Sequence, residues 1–287
     1  MKRSNPRLGF TSFVLHAILA LILFIPQLAG AAAAWQNLSP GVELGTFPAS
    51  HPGQHGDSQI TILRIDPKLW DLTFVGLSQG EEHAGMTARE WSRKHNLAAA
   101  ITAGMFLGDN RTHAGYLRYR DHVNNSKINA YRSVAAFDAR SDTIPRFRIF
   151  DLDAAGVSMQ TILRDYSSAV QNLRLIKRPG QNRWAAQDRM WSEAALGEDR
   201  AGRILFIFTR SPFKMDDLNR ELLALDIGLV CAQHLEGGPE AQLYVGVGGA
   251  DLQWFGSYEM PFQGNDKNQR GWPVPNVLGI RPRHSPK

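Results

Sequence analysis

The run Arg203-Ile204-Leu205-Phe206-Ile207-Phe208-Thr209 leaves no side for solvent. Large apolar side chains follow one another without the polar alternation of a half-exposed strand. The segment therefore predicts a core strand covered on both faces. The residues after it supply a cover. Ser211-Pro212 offers an N-cap followed by proline at the first helical position. Leu218, Leu222 and Leu225 then line one face of a helix. Residues 227–232 read as the next strand, so the helix should pack outside a sheet between two consecutive strands.

The same reading extends along the chain. Residues 42–47 and 72–77 are strand candidates, and Ile60, Ile62 and Ile65 follow a broadly period-two pattern closed by Asp66-Pro67. Thr87-Ala88-Arg89-Glu90 spells a capping box and predicts a helix over 87–95. The alanine-rich run 97–101 reads as a buried strand, 157–166 as a helix and 242–247 as a strand. Strands and helices do not alternate strictly, and no repeat or low-complexity linker divides the chain. The fold class is α+β in a single domain, with many strands and few helices.

The N-terminus has the layout of a secretory signal. Lys2, Arg3 and Arg7 precede an apolar run, and Ala31-Ala32-Ala33-Ala34 supplies small residues for cleavage before Trp35. The apolar core is short for a membrane span of roughly 20 residues. Residues 1–34 are expected to be removed, leaving 35–287 as a periplasmic or secreted protein without a stable membrane span. The leader carries basic residues and no acidic ones, so the working domain is closer to neutral than the whole-chain charge of +5. No basic stripe with interleaved aromatics argues for nucleic acid. The single cysteine, Cys231, permits no internal disulfide. Its apolar setting reads as a buried small hydrophobe.

A second constraining stretch is Leu235-Glu236-Gly237-Gly238-Pro239-Glu240, in which two carboxylates flank a glycine pair. Paired glycines permit positive φ or close backbone approach. The stretch is either a tightly bent, chemistry-bearing loop or a polar turn between strands.

Taken in order, several blocks resemble the phosphodiester glycosidase family. They are Leu38-Ser39-Pro40-Gly41-Val42-Glu43, Ile62-Leu63-Arg64-Ile65-Asp66-Pro67, Ala99-Ala100-Ile101-Thr102-Ala103-Gly104-Met105-Phe106, Ala195-Leu196-Gly197, Ile204 to Arg210, the Glu236 turn, and Pro275-Asn276-Val277-Leu278-Gly279-Ile280. The resemblance covers nearly the whole domain. It implies an α+β domain whose mixed sheets carry helices outside, and hydrolysis of a diester R–O–PO₂–O–sugar at its glycosidic side. Three departures stand out. Thr102 occupies the position of a family asparagine. Glu193, in Ser192-Glu193-Ala194, stands where an arginine is expected to hold the anionic diester. Pro239-Glu240 replaces Gly-Ser after the double glycine. Exchange of arginine for glutamate inverts a charge, so another cation, another substrate or a non-catalytic role is implied.

Glycosidic hydrolysis usually employs two carboxyl groups. Glu236, Glu240 and Glu193 are the catalytic candidates, with Glu236 first. Glu236 alternatively accepts backbone N–H bonds in its turn, and Glu193 alternatively pairs with Arg189 or Arg210. For substrate binding, Thr102, Gly104, Met105 and Phe106 form one expected wall and Gly237 and Gly238 leave room. His113, Arg118 and Asn125 come from a donor-rich polar segment, and Arg210 from the strand end. Candidate cations are Arg118, Arg120, Arg174 and Arg210. Proline and glycine between His51 and His55 argue against a helical metal pair. No cofactor or metal is expected from the residues; a structural calcium is implied by the resemblance alone. Two functions remain open: an exported hydrolase of a sugar phosphodiester, and a non-catalytic periplasmic protein that binds an envelope glycan.

Overall fold

Ile204, Leu205, Phe206, Ile207 and Phe208 are all 2% exposed or less, and they divide between two cores. Ile204, Phe206 and Phe208 enter the main cluster. Leu205 and Ile207 enter a second one beneath a helix. The structure, a computed structural model, describes Met1 and residues 35–53, 55–80 and 82–283. Apart from Met1, the expected leader lies outside the described residues. No helix among those described is long and apolar enough to cross a membrane.

The α+β class is what forms, as three antiparallel sheets with three helices. In the eight-stranded sheet, Gln59–Ile65, Ile204–Phe213, Trp191–Asp199 and Leu229–Gly237 lie side by side at the centre. A five-stranded sheet places Ala99–Thr102 between Gln242–Val245 and Asn276–Pro282. Another places Tyr166–Asn172 between Leu117–Tyr119 and Ser133–Ala139. All three feed one core, in which Phe206, Leu243 and Phe137 represent the respective sheets. Burying each such side chain contributes roughly 1.5–3 kcal/mol.

The capping box forms as its spacing predicts. Thr87 caps Ala88–His95, with its hydroxyl accepting from the Glu90 N–H and the Glu90 carboxylate accepting from the Thr87 N–H. Trp91 on the inner face is fully buried. The predicted second helix forms as Met159–Asp165.

The third helix begins later than its signal. Ile204–Phe213 continues as strand through Ser211 and Pro212, and the helix covers Met215–Ala224 with Lys214 at its N-cap. Ser211 is buried, and its hydroxyl accepts the Ser58 N–H at 2.6 Å, which removes it from capping. Pro212 lies in an irregular stretch of the ladder between the Glu193–Thr209 and Trp191–Phe213 pairs, a position where a missing N–H is tolerated. Leu218 and Leu222 still bury the expected face against Leu205 and Ile207.

The double glycine also folds differently from a bent loop carrying both carboxylates. Leu229–Gly237 is strand to its last residue, and a single 3₁₀ turn, Gly238–Glu240, leads to Gln242–Val245. Glu236 thus sits on a strand end, and Glu240 in the turn.

Candidate functional site

Two strand ends and one turn create the site. Gly237 pairs with Glu193, and Ala195 pairs with His234, with a register irregularity between. Glu193 and Ala195 project from the same face of their strand, so His234 lies diagonally across from Glu193. The His234 Nδ1 stands 2.8 and 2.9 Å from the two Glu193 carboxylate oxygens. Trp191 Nε1 donates to Glu193 Oε2 at 2.7 Å. Glu193 is fully buried. The expected partners, Arg189 and Arg210, do not reach it; the ladder brings an imidazole there instead.

Both glycines of the turn are required by close approach. A Cβ on Gly237 would lie 2.8 Å from the Trp191 indole. Gly238 has φ +57, and a Cβ there would lie 2.6 Å from Glu259 Oε2.

Above these residues opens a cavity of about 500 Å³. Its floor is His234, Glu236, Gly237 and Glu240, and Trp184, Trp191, Met105 and Phe106 form walls. Trp184 and Trp191 meet edge to face at 6.1 Å between ring centroids. Glu259, Met260 and Phe262, from residues 256–271, close another side. Arg189 lines the cavity with an exposed side chain.

The carboxyl groups share one environment and are all pushed upward. Burial is the main cause for Glu236, which is raised well above 4.5, with further contributions from Glu240, Glu259 and Glu193; a bond from the Gly237 N–H opposes them. Burial and then Glu259 push Glu240 up to about 7, although backbone bonding pulls it down. Burial also raises Glu193 and Glu259, with His234 pulling both back. Crowded acids in a partly apolar cavity favour the protonated form. The arrangement holds a cluster of carboxyl groups that keep their protons above the ordinary carboxylate range.

Met105, Phe106, Glu236, Gly237 and Glu240 are brought together as the sequence suggests, and Gly238 backs onto Glu259. Glu193 does not line the cavity itself and reaches it through His234 and Trp191. The remaining candidates serve elsewhere. Thr102 is buried, and its hydroxyl donates to the Glu240 carbonyl at 2.8 Å and accepts the Gln242 N–H at 3.2 Å. It fastens the turn from behind. Gly104 has φ +142 and packs against Asn172 and His113. His113 is fully buried, and burial holds its imidazole down to about 4, so it is neutral and outside the cavity. Asn125 donates to the His113 carbonyl at 2.8 Å. Arg118 donates to the Arg120 carbonyl at 2.7 Å.

Arg210 is spent on structure. It donates to the carbonyls of Phe255 and Asn268 at 3.0 and 2.9 Å, and pairs with Asp266 at 2.7 Å. Those contacts tie down the segment that closes the cavity. Arg120 pairs with Asp138, and Arg174 with Asp151 and Asp153. Cys231 is buried, and burial drives its thiol up, far from a nucleophile. Among the described residues, no group of three His, Cys, Asp or Glu side chains is placed to hold a metal ion.

His234, Trp184, Trp191, Arg189 and Glu259 complete the cavity beyond the sequence candidates. His234 had a usable signal, lying two residues before Glu236 in one strand. Glu259 and Arg189 had none, because irregular segments bring them in.

The comparisons agree with this architecture. The phosphodiester glycosidase family profile matches residues 95–281. The fold is similar to the catalytic domain of zebrafish N-acetylglucosamine-1-phosphodiester alpha-N-acetylglucosaminidase, solved as auto-inhibited by its pro-peptide. The two share 16% identity and a TM-score of 0.63, covering 88% of this chain and 87% of that one. A hypothetical protein from Synechocystis is also similar, with 13% identity and a TM-score of 0.57, covering 88% of this chain and 64% of that one. No curated protein matches by sequence. With more than half of its length matched by the family profile, the chain belongs to the phosphodiester glycosidase family.

Proposed function

We propose that this protein is an exported hydrolase that releases a sugar from a glycosyl phosphodiester, with Glu236 as its proton-transferring acid. The observation that carries the reading is Glu236 at the floor of an aromatic-walled cavity, its carboxyl held well above the ordinary range by burial and by Glu240. Water adds to the sugar carbon, the bond from that carbon to the phosphate oxygen breaks, and the phosphate leaves as a monoester. Glu236 delivers a proton to the departing oxygen. Glu240, poised near 7, receives the proton that the attacking water gives up. Two neighbouring carboxyls suit an acid and base division. Trp184, Trp191 and Phe106 offer flat apolar surface to the sugar, and Arg189 offers charge to the phosphate. The leader-like residues 1–34 support release into the periplasm or beyond.

The decisive experiment is Glu236→Gln, which keeps shape and removes the titrating proton. Turnover across a panel of glycosyl phosphodiesters should fall by ~10²–10⁴-fold, with the melting temperature little changed. Equal activity in the variant would discard Glu236. One observation favours a second reading, a glycan-binding protein that retains the fold: apart from Arg189, the ionised-state charges around the cavity come mainly from carboxylates. Wild-type protein that binds envelope sugars but turns over no diester would establish that reading.

A further inference from the structure

The family position expected to hold an arginine is occupied by Glu193, yet an anionic substrate still needs a partner at the cavity floor. We infer that His234, oriented by Glu193, is the group that grips the diester anion in this chain, an inference that rests on the glycosyl phosphodiester reading. Glu193 does not face the substrate. It is fully buried behind the histidine and fixes its ring. The expected arginine is thus replaced by a two-residue unit, one carboxyl group and one imidazole.

The geometry supports each part. Glu193 is saturated from one side by Trp191 Nε1 at 2.7 Å and from the other by His234 Nδ1 at 2.8 and 2.9 Å. Among the described residues, no arginine or lysine pairs with Glu193, and the imidazole takes that place. A buried carboxylate is tolerated only when paired and hydrogen-bonded. With Nδ1 committed to Glu193, the opposite nitrogen, Nε2, lies on the far side of the ring. The ring lines the cavity floor while remaining only 4% exposed, and Trp191 holds it edge to face at 6.1 Å. A contact so sheltered is screened by water far less than one to Arg189, which stands in solvent.

The charged groups facing His234 come from every element around it. Glu193 lies on the neighbouring strand, Glu236 on its own strand and Glu240 in the turn. Glu259 and Arg189 come from irregular segments. The carboxylates among them would repel a diester, unless they carry protons. Burial and mutual crowding provide this, with Glu240 pushed up to about 7 and Glu236 well above its ordinary value. The cavity therefore accepts an anion best on the acid side of neutrality, when these acids are neutral.

The test uses dimethyl phosphate, a diester monoanion without sugar, against trimethyl phosphate, its neutral analogue. In the wild-type protein, dimethyl phosphate should bind more tightly, increasingly so as pH falls from 8 to 5.5, and should shift the His234 ring Cε1 proton in NMR spectra. His234→Gln should reduce the preference by about 10–100-fold. Glu193→Gln should reduce it as well, since the ring loses the partner that orients it. Arg189→Gln should weaken binding evenly at all pH values. Wild-type protein with no preference between the two probes would sink the phosphodiester reading itself. A clear preference that survives His234→Gln, or that leaves the His234 resonance unmoved, would overturn this inference and leave that reading standing. The wild-type NMR measurement decides the matter even if the variants fail to fold.

Discussion

Trp191 Nε1 donates to Glu193 Oε2 at 2.7 Å, so one aromatic wall of the cavity and the carboxylate buried behind its floor form a single unit. The same indole lies against Gly237, where a Cβ would come within 2.8 Å. The wall cannot be altered without disturbing the buried carboxyl and the glycine beside it.

Trp191→Phe tests that coupling. The benzyl ring keeps much of the wall but leaves one lone pair of buried Glu193 unpaired. The cost should be about 1–3 kcal/mol, read as a lower urea midpoint with an unchanged denaturant slope. A midpoint equal to wild type would show that the indole bond contributes nothing.

Arg210→Ala tests the anchoring of the covering segment. The side chain holds Phe255, Asp266 and Asn268 together, and Lys267 and Arg270 nearby are exposed. Without the anchor, trypsin should cut after Lys267 and Arg270 roughly tenfold faster, because local opening costs less. Unchanged cleavage would mean that the segment is held by other contacts, such as the Ser192 hydroxyl accepting from the N–H groups of Ser257 and Tyr258.

Glu240 should leave a mark on stability. Its folded value is about 7 against 4.5 for the free side chain, so between those values the folded protein holds a proton that the unfolded chain has lost. Its contribution is therefore fully present below 4.5 and is lost as pH rises through 7. The loss should be of order 1–3 kcal/mol. Chemical denaturation from pH 4.5 to 8 should show this decline, and Glu240→Gln should flatten it. Parallel curves for the two proteins would rule the assignment out.

Local signals carried much of the fold. The unbroken apolar run at 204–208 announces a strand covered on both faces, and Thr87 with Glu90 announces a helix start, because both depend on neighbours in sequence. The Ser211 cap misleads because a distant residue, Ser58, takes its hydroxyl. The site was legible in part. Met105, Phe106, Glu236 and Glu240 sit in motif blocks that converge on one cavity. His113, Asn125 and Arg210 have side chains suited to substrates, but each is consumed by backbone groups that no local pattern reveals. The Glu193–His234 contact depends on strand register, and a one-residue shift would separate them.

The strand Ile204–Phe213 is locked at one end by two cores, and at the other it carries Arg210, the clasp for residues 256–271. Acid groups on the sheet and the cover over them thus have separate origins in the chain. Lengthening or re-sequencing the cover between its clasped points would change which ligands fit while leaving Glu236 and Glu240 in place. Such changes stay confined to selectivity only where Glu259, the cover's own acid, is kept.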